Sequence, residues 1–107
     1  MVDFNLANSR FELMSIKSAA KSKVNFRGEG VLRNLDGSNS VVVATGPTGS
    51  GAVDAILADA TTAADNKAVI QAGQDLPIQN IREVFMKAIG GDVLVQWIPV
   101  RTFTKQA

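Results

Sequence analysis

A mostly β fold, a small antiparallel β-sandwich or jelly-roll-like barrel, is predicted from three observations. The stretch from Gln71 to Val100 alternates apolar and polar residues almost without a break, the period of strands with one buried face. Turn-forming residues stand where that alternation stops, at Gly73-Gln74-Asp75 and Gly90-Gly91. Hydrophobic residues make up 46% of the 107, but much of that is Val, Ala and Ile, with six aromatics at Phe4, Phe11, Phe26, Phe85, Trp97 and Phe103. A chain of this length forms one domain with a modest core. So thin a supply of large side chains favours assembly with partners.

Residues 1–22 are expected to form an N-terminal arm or short helix, and residues 23–107 the sandwich domain. Within 9–21 two patterns compete. Ser9 and Glu12 have the spacing of a capping box, with Phe11, Met14 and Ser18 on one helical face. The same letters alternate as Phe11, Leu13 and Ser15 against Glu12, Met14 and Ile16, as a strand requires. Both stay open.

Val24, Phe26 and Gly28, then Val31-Leu32 after Gly30, suggest two short extended pieces. Asn34-Leu35-Asp36-Gly37 is a turn. Asn39 to Thr45, built on Val41-Val42-Val43-Ala44, is a strand. Gly46 to Gly51 is a loop, since its proline and glycines cannot continue a sheet. For Ala52 to Asp59 the helical spacing of Val53, Ile56 and Leu57 competes with a buried Ala55-Ile56-Leu57-Ala58 strand, and the flanking loops favour the strand. Lys67 to Ala72 is a further strand. Leu76 and Ile78 then share a face with Pro77 opposite, which suits an edge or bulged strand.

Gly90-Gly91 predicts a two-residue hairpin, with Ile89 paired to Asp92 and Val84 opposite Trp97. That register places Val84, Met86, Ala88, Val93, Val95 and Trp97 on one core face. The reverse face carries Phe85, Lys87, Ile89, Leu94, Gln96 and Ile98. It is too apolar to be freely solvated, so either the N-terminal segment or another subunit is expected to cover it. Phe4, Phe11, Phe85, Leu94 and Ile98 are the candidate interface residues.

The chain has no cysteine, histidine or tyrosine, which closes disulfide, thiol and imidazole chemistry and the commonest zinc ligands. Thr45 to Gly51 has the outer glycine spacing of a phosphate loop. Ala52 and Val53 stand where that mechanism needs a Lys and a Ser or Thr, so a surface loop is the better reading. The aspartates Asp54, Asp59, Asp65, Asp75 and Asp92 have no EF-hand spacing and are read as local turn caps. No metal, no cofactor and no enzymatic activity are expected. Charge is uneven: Lys17, Lys21, Lys23, Arg27 and Arg33 face Glu29 alone in residues 17–33, whereas 34–75 is acidic. That basic segment, with Phe26 inside it, is the candidate surface for the alternative function, a small nucleic-acid-binding module. Complementarity to an acidic partner or plain solvation is the stronger reading. Neither a membrane-spanning run nor a secretory signal is present, and a soluble chain is expected.

The run Ile70-Gln71-Ala72-Gly73-Gln74-Asp75-Leu76-Pro77-Ile78, then Asn80-Ile81-Arg82-Glu83-Val84-Phe85-Met86-Lys87-Ala88, then Gly90-Gly91-Asp92-Val93-Leu94-Val95-Gln96-Trp97 resembles small tailed-phage virion proteins. Their modules have an "AGxxLPI" bend, an "NIxxVFxK" strand, a glycine turn and a final strand ending near an aromatic. The resemblance covers roughly residues 52–98. It implies a non-enzymatic, homo-oligomeric component of a bacteriophage particle, a capsid decoration or tail fibre or spike-base β-sandwich. Other virion proteins would be its partners, and the N-terminal arm would reach a neighbouring subunit.

Overall fold

The computed structural model describes residues 2–7, 9–46 and 51–100. Two sheets pack face to face as a mostly β, sandwich-like fold. The first strands are β1 (Val2–Ala7), β2 (Glu12–Ile16), β3 (Ser22–Arg27), β4 (Gly30–Asn34) and β5 (Ser40–Ala44). A short helix α1 (Gly51–Ile56) follows, then β6 (Lys67–Ile70), β7 (Asp75–Ile78), β8 (Glu83–Ile89) and β9 (Val93–Pro99). One sheet has the order β1-β3-β8-β5-β6 and the other β2-β9-β4-β7. All pairs are antiparallel except β1 with β3, which run parallel.

The period-two pattern accounts for the core. Val24 and Phe26, Val84, Met86 and Ala88, and Val41 and Val43 point inward from the five-stranded sheet. Met14 and Ile16, Val93, Val95 and Trp97, Leu32 and Ile78 meet them from the other. Trp97 is fully buried, its ring centroid 5.2 Å from that of Phe26, and its indole N–H donates to the Ala7 carbonyl at 2.8 Å. Buried Asn34 is also satisfied. Its amide donates to the carbonyls of Asn39 and Ile70, each at 2.9 Å, and its oxygen accepts the Asp36 N–H at 2.8 Å. The end of β4 is thereby stitched to the opposite sheet.

Three expectations are corrected. The Gly90-Gly91 hairpin does not form: β8 pairs with β3 and β5, and β9 pairs with β2 and β4, so the glycines arch from one sheet to the other. The six inward residues assigned to its core face do face the core, but from two sheets. Residues 1–22, expected as an arm or short helix, supply β1 and β2 instead, and bury Leu6, Met14 and Ile16. Of the two patterns weighed for 9–21, alternation prevails because Met14 and Ile16 then share the core with β9.

The third correction concerns 52–59, where helix and not strand is found. A six-residue helix has little stability of its own and is held here by packing. Val53 and Leu57, one helical turn apart, cover Val42, Ala44 and Phe85 on the outer face of the five-stranded sheet. Buried on both faces, β5 reads as an unbroken apolar run. Phe85, expected on a reverse face covered by the N-terminal segment or another subunit, lies 1% exposed beneath α1 instead. Pro77 sits as anticipated on an edge strand, with Leu76 and Ile78 turned the other way.

Gly30 lies against the Trp97 ring of the neighbouring strand β9. A Cβ there would lie 2.5 Å from the Trp97 ring and 2.6 Å from the Ile98 carbonyl oxygen, whereas one on Gly37 would meet nothing. Gly30→Ala is therefore expected to destabilise the fold by about 1–3 kcal/mol. Gly37→Ala should stay within about 0.5 kcal/mol of wild type. Urea unfolding of the two variants checks the contrast, and equal midpoints would contradict the packing described.

Candidate functional site

Alternation that buries Met14, Val95 and Leu32 sends their neighbours to the outer face of the four-stranded sheet. The register aligns Leu13, Gln96, Arg33 and Asp75 across its four strands. A second row holds Ile98, Val31 and Pro77, with Phe11 entering β2 at that end. Ser15 and Leu94 make a third row, and Leu35 joins it by donating its N–H to the Leu94 carbonyl at 3.0 Å. Phe11 is 67% exposed, Leu13 60%, Leu35 44% and Leu94 43%. Contiguous apolar surface of this kind marks interaction sites. Among the described residues no helix lies over this sheet, in contrast to α1 on the other.

The polar residues in the middle of the face neutralise each other. Arg33 binds Asp75 in a two-pronged pair, Nε to Oδ1 at 2.8 Å and Nη2 to Oδ2 at 3.1 Å. The face carries no net charge from them, and the pair holds the Asp75 carboxyl below its ordinary range.

Of the candidate interface residues, Phe11, Leu94 and Ile98 share this face. Phe85 is under α1, and Phe4 is half-buried against the main core. Leu13, Val31 and Leu35 belong to the face and were not singled out from the sequence. The signal for Leu13 was present in the Phe11, Leu13, Ser15 alternation.

The basic residues are dispersed and mostly engaged. Lys17 lies 3.5 Å from Asp92, Lys21 2.7 Å from Asp54 and 5.7 Å above the Phe85 ring, and Lys23 3.4 Å from Glu83. Lys23 and Arg27 project from the outer face of the five-stranded sheet, Arg33 from the opposite side of the molecule. Phe26, the aromatic among them, is in the core. Arg27 borders an open groove of about 580 Å³ with Arg82, Glu29 and Asn80. The opposite charges of the two halves of the chain thus meet within one subunit at Lys21–Asp54 and Arg33–Asp75.

Among the described residues no three carboxylates cluster as a metal site, and no helix is long and apolar enough to cross a membrane. The phosphate-loop-like stretch falls largely on 47–50, outside the described residues. Asp59 and Asp36 act as turn caps. Asp59 accepts from the Thr62 and Thr61 N–H groups at 2.7 and 2.9 Å, then from the Thr62 hydroxyl, which holds its carboxyl well below the usual range. Asp36 is lowered by the Asn39 and Ser38 N–H groups, and Asp92 chiefly by the Ser18 N–H.

A carboxyl depressed on folding contributes stability that is fully present above its unfolded pKa, about 3.9, and lost as pH falls toward the folded value. The stability gap between wild type and Asp59→Asn should therefore be constant above about pH 5 and narrow below about pH 4. Urea midpoints measured from pH 2 to 7 check this, and a gap unchanged by acid would contradict the capping role. The chain matches no protein-family model, no curated protein and no solved structure.

Proposed function

We propose that this chain is a non-enzymatic structural protein that assembles with copies of itself, as a decoration or tail and spike-base component of a bacteriophage particle. The observation that carries the assembly reading is the apolar face built on Phe11, Leu13, Val31, Leu35, Leu94 and Ile98, which no element covers among the described residues. The particle role is supported by the resemblance of residues 70–97 to virion modules.

The size of the face suits assembly by repetition. Four strands of 5, 7, 5 and 4 residues, spaced about 4.8 Å apart, offer a projected patch on the order of 300 Å². A stable pairwise contact buries about 800 Å² per partner. A single contact through this face is accordingly weak, and several contacts closed by symmetry add through effective concentration.

Light scattering with rising protein concentration is the test. Wild type is expected to assemble, and Leu94→Lys and Leu13→Lys to shift toward monomer with thermal midpoints close to wild type, because both side chains already reach solvent. Phe85→Lys should instead unfold the subunit by placing a charge beneath α1. A wild type that stays monomeric, or assembly indifferent to both surface lysines, would refute the reading. Salt-dependent binding to single-stranded DNA would favour the nucleic-acid alternative.

A further inference from the structure

The two long sides of the sandwich differ. On one, the edge strands β6 and β7 part to leave an apolar cleft of about 210 Å³, walled by Ala68, Leu76 and Ile81 above the core residues Val43 and Val84. Ala68, Leu76 and Ile81 pack against the core but remain half-covered. Asp65 stands on the rim, exposed, with no ion pair or side-chain hydrogen bond among the described residues. The rim cation Lys67 is turned away, its ammonium held by Asp59 and the Thr62 carbonyl.

At the opposite edge of the four-stranded sheet the chain turns into β2 through Arg10 and Phe11. Phe11 is the most exposed large apolar side chain among the described residues, and the Arg10 side chain is 72% exposed with one contact, Glu12 at 3.3 Å. A guanidinium has five donors, so that contact leaves others free.

We propose that the Arg10–Phe11 corner of one copy docks into the β6–β7 cleft of the next, Phe11 against Ala68, Leu76 and Ile81, and Arg10 facing Asp65. This rests on the homo-oligomer reading above and specifies how the copies meet. Size supports it: an apolar cavity of about 150 Å³ takes up benzene, so this cleft admits one phenyl ring. Charge supports it too, since the cation flanks the knob and a carboxylate unpaired among the described residues flanks the hole. Neither element complements itself, so the contact is head-to-tail. Knob and hole lie on opposite edge strands, three strand spacings or about 14 Å apart, and each copy uses both. Such a contact propagates into a ring or a filament.

Phe11→Asp removes the knob and keeps the hole. Asp65→Lys, on the exposed rim, spoils the hole and keeps the knob. Each variant alone, checked for a wild-type thermal midpoint, is expected to raise the concentration needed for half-assembly by about tenfold or more. Mixed one to one, they should recover a heterodimer and nothing larger, because one intact knob meets one intact hole. Analytical ultracentrifugation reads the result. An Asp65→Lys variant that assembles like wild type, while Leu94→Lys remains monomeric, overturns the docking and leaves the apolar-face reading standing. Monomeric variants that stay monomeric when mixed show a symmetric contact and overturn it as well. A monomeric wild type removes both.

Discussion

The packing of Trp97 over Gly30 is the constraint on which the sandwich depends. The indole occupies the space that any side chain on β4 would need at that point. Its ring lies beside Phe26 of β3, and its N–H is bound by the carbonyl that ends β1. One side chain therefore joins four strands and both sheets. A buried aromatic of this size removes about 150–250 Å² from water, in a chain that has few others to offer. Its single polar atom donates to a carbonyl, which offsets the cost of taking that N–H out of water.

Inward and outward assignments were legible because the side-chain period of a strand is two, whatever the strand pairs with. Val84, Met86 and Ala88, like Val93, Val95 and Trp97, had to share a buried side. Partner choice is a different matter. Two consecutive alternating strands satisfy the same pattern side by side in one sheet or face to face across a core. The glycine pair permits either path, and Asn39, packed against Gly90 and Gly91, accompanies the arch found here. The two-faced character of β5 was visible in its unbroken valines. That α1 would cover it was visible only in the spacing of Val53, Ile56 and Leu57, which competed with equally good strand signals.

The candidate face was half legible. Leu94 and Ile98 alternate out of β9, and Phe11 stood out as a large side chain near the chain start. Leu35 lay hidden in turn chemistry, and Phe85 was misplaced because its cover comes from a helix that adjoins it only in space. Charge told less. Lys21 with Asp54 and Arg33 with Asp75 are 33 and 42 residues apart, so no local pattern announces them. The two sheets therefore differ in one respect that matters. The same alternation produces an apolar outer surface on each, and the fold supplies a lid for one.

The pairing of β2 has a consequence for biogenesis. As an edge strand it has a single neighbour in its sheet, and that neighbour is β9, some eighty residues later. While the chain is being made, Met14 and Ile16 have no sheet to join until the far strand leaves the ribosome. Such distant pairings slow folding and prolong the exposure of sticky segments. Among the N-terminal strands β2 is therefore the one that waits for a distant partner, whereas β1 can pair with β3 some twenty residues on.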